Sequence, residues 1–270
     1  MKIAFVGGGN MANAIVGGLL AAGRKPAEVL VVEPDAQARA RMAMTYGVGV
    51  LDAVGPGIDA ADVVLIAVKP QAMRQVAHGL ADRAPGALFL SIAAGIRIAD
   101  MARWMGGRDR IVRAMPNTPA LVHAGVTGLH AGPGADDADR ASAEELMRSV
   151  GATLWFEREE QLDAVTAVSG SGPAYVLYAI EALEQAGRDL GLGDAASRTL
   201  ALWTFVGAAK LAIERQEDPA ALRAQVTSKG GTTERALSVM EERGVKAHFV
   251  EAVKAAAQRA RELGDELGKD

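Results

Sequence analysis

The sequence predicts an α/β fold in two parts: a parallel sheet wound with helices over residues 1–157, and an all-helical part over residues 158–270. Three observations carry this prediction. The chain opens with a short apolar run, Lys2 to Val6, that breaks into three glycines and resumes as a helical pattern through Ile15, Leu19 and Leu20. Short apolar runs then alternate with helical stretches as far as Phe156, the order expected of parallel strands joined by right-handed crossovers. From about Arg158 the alternation stops, and everything after it repeats at helical period.

The first strand and its glycines set the chemistry of the first part. Gly7-Gly8-Gly9-Asn10-Met11-Ala12 fits G-x-G-x-x-A: Gly7 permits the tight turn, Gly9 lets backbone approach a diphosphate, and Ala12 lets helix and strand pack closely. The diphosphate then sits on the unpaired N–H groups at the helix start. A second strand, Val29 to Val32, ends in Glu33, 21 residues beyond Ala12, where dinucleotide folds place the acid that binds a ribose hydroxyl. Together these make the first part a Rossmann-like NAD(P)-binding domain. Further strands follow at Val48 to Val50, Asp62 to Val68, Ala87 to Ser91 and Ile111 to Met115, then Val126 to His130 and Thr153 to Phe156. Ligands bind beyond the carboxyl ends of such strands. Val68-Lys69-Pro70, Ser91 to Gly95 and Met115-Pro116-Asn117-Thr118-Pro119 all leave strands at that edge.

The helical part reads as helices at Leu162 to Val168, Pro173 to Leu190, Ala196 to Arg215, Ala220 to Val226, Thr232 to Glu242 and Val245 to Leu267. Ala174 to Ile180 and Leu200 to Ala209 are apolar nearly all round, so they demand burial on every side. Interlocking with a second copy across a two-fold axis achieves that. A central helix within one bundle is the alternative.

Composition narrows the function. The chain has 270 residues, half of them hydrophobic and 23% charged, enough to bury a sizeable core. Its formal charge of −4, with both signs scattered, gives no reason to expect nucleic acid or an anionic membrane as partner. The absence of cysteine excludes disulfides, thiolate catalysis and cysteine metal sites. The N-terminal apolar run breaks at Gly7 without a cleavage region, and Leu200 to Ala209 is far shorter than the roughly 20 residues of a bilayer span, so a cytoplasmic location is expected. His78, His123, His130 and His248 have neither metal-site spacing nor a nucleophile context, and no metal is expected.

Two polar, glycine-rich stretches interrupt the helices, Ser169 to Tyr175 and Val226 to Thr233. Both serve as helix caps on one reading. On the other, Ser228, Gly230, Gly231, Thr232 and Thr233 converge at a helix N-terminus as a site for a small carboxylate.

The glycine loop, Val68-Lys69-Pro70, Met115 to Pro119, Ser169 to Tyr175 and Val226 to Thr233 together resemble the motif series of the pyrroline-5-carboxylate reductase family, in its order and from end to end. Thr227 to Leu237 is the most specific match, with Lys229 where many members carry proline. The resemblance implies a dinucleotide domain followed by an all-α dimerisation domain, with Val226 to Thr233 of one subunit completing the active site of the other. It implies hydride transfer to a cyclic imine, 1-pyrroline-5-carboxylate, giving L-proline. Ser228, Thr232 and Thr233 then hold the substrate carboxylate, with Thr233 closest to the reacting ring. Gln225 lies by the nicotinamide ribose and Glu159 by the substrate on the same carry-over, and Val68, Lys69, Pro70 and Asn117 join the cofactor set. The resemblance favours NADPH, with Arg39 or Arg41 as counter-charge, whereas Glu33 favours NADH. A homodimer is implied, and a higher assembly of dimers is compatible with it. The alternatives are another reductase of this architecture, such as a hydroxy-acid dehydrogenase, and a dinucleotide-binding dimer without turnover.

Overall fold

The structure, a computed structural model, describes residues 1–269. Strand and helix alternate through β1 (Ile3–Val6), α1 (Asn10–Ala21), β2 (Val29–Val32), α2 (Ala36–Tyr46), β3 (Gly49–Leu51), β4 (Val63–Ile66), α3 (Pro70–Leu80) and β5 (Leu88–Ser91). There follow α4 (Ile98–Trp104), β6 (Ile111–Met115), β7 (Gly125–Ala131), α5 (Asp137–Arg148) and β8 (Gly151–Trp155). The eight strands form one sheet in the order β3-β2-β1-β4-β5-β6-β7-β8. Alternate residues feed two cores. Phe5, Val31, Leu65 and Leu90 pack on one face with Ile15 of α1 and Leu146 of α5. Ala4, Val64, Ile66 and Phe89 pack on the other with Met73 of α3 and Met101 and Trp104 of α4. Strands buried on both faces read as continuous apolar runs, which is why they were legible.

Two features depart from the expected all-parallel winding. Between β6 and β7 the chain makes only a short 3₁₀ turn, Thr118–Val122, so β7 returns antiparallel to β6. The expected run of strands also gave no helix between β5 and β6, where the seven-residue α4 stands.

The remaining helices are α6 (Gln161–Val165), α7 (Gly172–Asp189), α8 (Asp194–Arg215), α9 (Pro219–Gln225), α10 (Thr232–Glu242) and α11 (Val245–Leu267). The helix expected over Leu162 to Val168 stays α-helical only to Val165 and continues as a π-helical turn, Thr166–Gly170, closed by the Ser171 N–H donating to Thr166 O at 2.8 Å. By their internal contacts the residues fall into two compact units: Met1–Ser171 with the residues from Ala256 onward, and Gly172–Ala255.

In the second unit α7 and α8 pack where Gly187 meets Ser197; a Cβ on Gly187 would lie 2.7 Å from Ser197 Oγ. Tyr175 of α7 meets Phe249 of α11 edge-on, ring centroids 5.8 Å apart. Leu177, Tyr178, Leu200, Trp203 and Ile213 stay exposed on the single chain, so one bundle does not cover the apolar helices. No helix of the described residues is long and apolar enough to cross a membrane.

Candidate active site

The glycine loop leaves β1 beside the carboxyl end of β4. Gly7 has φ +104°, and a Cβ there would sit 2.6 Å from Ala67 O, so only glycine makes this turn. Gly9 is the N-cap of α1, with extended backbone and no side-chain cap. A Cβ on Gly9 would meet nothing within 4 Å, which leaves room for a ligand against the backbone. Asn13 Nδ2 donates to Gly8 O at 2.8 Å and to Gly9 O at 3.0 Å. The N–H groups of the first turn of α1 have no acceptor within the helix and remain for an anion. Asn10 is exposed, Met11 half-buried, and Ala12 fully buried against the sheet. Val68 packs close to Gly7, Lys69 is the N-cap of α3, and Pro70 takes its first position, where a missing N–H costs nothing. The strand order reverses between β1 and β4, which places these two loops at the crevice where such sheets bind ligands.

At the end of β2, Glu33 Oε2 accepts the Gly8 N–H at 2.8 Å and Oε1 accepts the Asp35 N–H at 2.9 Å. Arg39 Nη1 donates to Glu33 O at 2.7 Å and to Pro34 O at 3.1 Å, which holds its guanidinium on the backbone just after β2. Arg41 is exposed.

The turns after β5 and β6 are tied down by buried polar groups. Asn117 is 8% exposed; its Nδ2 donates to Ser169 O at 3.1 Å, and its Oδ1 accepts the Val126 N–H at 2.9 Å. The side-chain amide thus pins the π-helical turn to the start of β7. Glu159 Oε1 accepts the Ile98 N–H at 2.8 Å, capping α4, and the Arg113 Nη1–H at 3.0 Å. Arg113 is buried on β6, with Asp163 3.9 Å away on its other side. Burial pushes the Asp163 carboxyl above its ordinary range, and Arg113, nearer to Glu159, offsets this only in part.

In the second unit, Ser228 O accepts the Gly231 N–H at 3.0 Å, closing a turn in which Gly230 has φ +72°. That conformation at the third position is the mark of a type II turn, whose second position favours proline; Lys229 occupies it. Gly231 is the N-cap of α10, and no side chain caps the helix. Among the described residues the hydroxyls of Ser228, Thr232 and Thr233 bond to nothing. The loop is therefore not an ordinary serine or threonine cap. The helix presents free first-turn N–H groups with three uncommitted hydroxyls close by. Gln225 Nε2 donates to Glu217 Oε2 at 2.7 Å. No group of three or more histidine and carboxylate side chains among the described residues is placed to hold a metal ion.

Comparison with known proteins decides the family. The family described as pyrroline-5-carboxylate reductase dimerisation matches residues 159–263, and the one described as NADP oxidoreductase coenzyme F420-dependent matches residues 2–95. The pyrroline-5-carboxylate reductase of Pseudomonas aeruginosa is 43% identical over 99% of this chain and 98% of its own. The chain belongs to the pyrroline-5-carboxylate reductase family. The Escherichia coli reductase is 36% identical over 97% of this chain and 98% of its own. The solved pyrroline-5-carboxylate reductase of Coxiella burnetii superposes with a TM-score of 0.93 at 40% identity, covering 97% of this chain and 98% of the other. That of Plasmodium falciparum, solved with NADP bound, superposes at 0.85 with 26% identity over 98% of both chains. The second unit thus lies within the reductase family's dimerisation domain, in keeping with its uncovered apolar helices. Sequence reading of this reductase missed Asn13, Arg113 and Asp163. Asn13 carried a signal, an amide four residues into a helix after Gly9; buried Arg113 carried none beyond a charge inside a strand.

Proposed function

We propose that this chain reduces 1-pyrroline-5-carboxylate to L-proline with NADPH, the reaction for which its family is named. The observation that carries the reading is the uncapped N-terminus of α10, with Thr232 and Thr233 in its first turn and the Ser228 hydroxyl unspent. The substrate carries a carboxylate beside a ring C=N bond. The carboxylate takes the N–H groups of α10 and the Ser228 and Thr232 hydroxyls, with Gly230 and Gly231 shaping the turn. Thr233 bonds the ring nitrogen or the carboxylate and fixes the ring in one orientation. A protonated imine carbon needs no covalent help to accept a hydride, so the protein supplies alignment and a dry pocket.

The first unit fits a dinucleotide: the open space over Gly9 and the N–H groups ahead of Asn13 suit a diphosphate. Bound there, the reduced nicotinamide supplies the hydride. Gly7, Gly9, Asn10, Met11 and Ala12 hold the diphosphate, with Val68, Lys69 and Pro70 beside it. Glu33 takes the ribose, and Arg39 meets a 2′-phosphate. Asn117 and Glu159 act one step back, fixing the turns after β6 and β5 that line the crevice. The functional division of the chain on this reading falls near Phe156, with 1–157 holding cofactor and 158–270 holding substrate and partner.

The test is turnover of the cyclic imine with NADPH and, in parallel, NADH, by wild type and Thr233→Ala. A hydrogen bond to a charged group is worth about 1.5–3 kcal/mol, so kcat/KM should fall by about one to two orders of magnitude in the variant, with KM for cofactor unchanged. No imine-dependent oxidation by wild type would overturn the reading. Full activity in Thr233→Ala would remove that residue from the site.

A further inference from the structure

The loop before α10 contains one contact that the proposed reaction does not use. Glu234 Oε2 accepts the Gly230 N–H at 2.6 Å. Gly231 is the N-cap, so Glu234 stands at the third helical position, where a glutamate ordinarily reaches back to the N-cap N–H. Here the Gly231 N–H already donates to Ser228 O, and the carboxylate passes to the amide one residue earlier. Two consecutive amides are thereby consumed, while those of Thr232, Thr233 and Glu234 itself stay free.

We propose that Glu234 is a positioning residue of the substrate loop: by holding the Gly230 N–H it fixes the turn that aims the α10 N-terminus at the substrate carboxylate. The proposal rests on the reading of that N-terminus as the carboxylate site. Gly230-Gly231 is the pair of residues with the most backbone freedom to lose, and without Glu234 one bond alone, Gly231 N–H to Ser228 O, closes the turn. Proline at the second turn position would pre-set its φ; Lys229 cannot. Glu234 supplies the missing restraint from the helix side. Its charge acts in the opposite sense, because a second carboxylate at the same helix end repels an anionic substrate, with exposure to water weakening that repulsion. Acceptor and charge can be separated: glutamine keeps an acceptor oxygen and loses the charge, alanine loses both.

The experiment compares steady-state kinetics of the full-length enzyme, Glu234→Ala and Glu234→Gln with 1-pyrroline-5-carboxylate and NADPH, alongside thermal melting. Glu234→Ala should raise KM for the imine about three- to tenfold, the range of one modest hydrogen bond, with KM for NADPH unchanged. Glu234→Gln should keep KM at or below the wild-type value. Adding Lys229→Pro to Glu234→Ala should recover most of the loss by restraining the turn from the other side. Unchanged KM in Glu234→Ala, equal impairment of the alanine and glutamine variants, or no recovery with proline would each overturn the proposal. Thr233→Ala distinguishes the two readings. If it retains full activity, Thr233 leaves the carboxylate site whatever Glu234 does. If it loses activity while Glu234→Ala does not, only the role of Glu234 falls.

Discussion

At Glu33, both carboxylate oxygens accept backbone N–H groups, from Gly8 and Asp35, so the side chain braces the glycine loop. Its place at the end of β2 was legible, because spacing from the glycines fixes it. Its partners were not, since the path of the loop between Gly7 and Asn13 follows from Asn13 and from close approach to Ala67. A carboxylate there disfavours a 2′-phosphate, whereas Arg39, held on the Glu33 and Pro34 carbonyls, is a cation of the kind that favours one. Glu33→Gln removes the like charge but offers one acceptor oxygen in place of two. The ratio of kcat/KM for NADPH over NADH should therefore rise, while both cofactors bind somewhat more weakly as one loop amide loses its partner. A ratio equal to wild type would show that the side chain acts on the loop alone.

Among the elements, strands β1, β2, β4, β5 and β6 were legible as apolar runs, since pattern and burial agree there, and α10 and α11 by their helical period. What escaped depends on groups far apart in sequence. The π-helical turn at Thr166–Gly170 is held by Asn117 some fifty residues away, and the capping acid of α4 is Glu159. α6 carries the clearest energetic consequence. Arg113 lies 3.0 Å from Glu159 and 3.9 Å from Asp163, so Asp163 is the weakly paired acid, and burial raises its pKa. The native state then binds this proton more readily than the unfolded chain does. The associated stability is present below the unfolded pKa of about 4 and is lost as pH rises through the raised native value. Asp163→Asn removes the titration. Its melting temperature should match wild type at acid pH and gain on it as pH rises to neutrality. Parallel melting curves across that range would mean that attraction to Arg113 cancels the effect of burial and leaves no net shift.

For the whole molecule, the decisive surface is on α7 and α8. The stretches 174–180 and 200–209 within these helices are apolar nearly all round in the sequence, and the single chain leaves Trp203 69% and Tyr178 76% exposed. Exposed apolar side chains in that density mark an interface, and the family's dimerisation domain spans them. Which side chains meet across the dimer was not legible, because periodicity identifies a buried face without identifying what covers it. Trp203→Arg tests the assignment at its largest side chain. On the isolated chain the new charge would stay in water, so the fold of each protomer should survive. In the dimer a guanidinium without a partner would be buried, and two-fold symmetry imposes the cost at both copies. Sedimentation should find monomer at concentrations where wild type is dimeric. The melting temperature should fall and lose its dependence on protein concentration, since the stability that association adds by mass action is gone. A variant that remains dimeric with the wild-type melting temperature would place the interface on another face and leave the exposure of Trp203 without a partner.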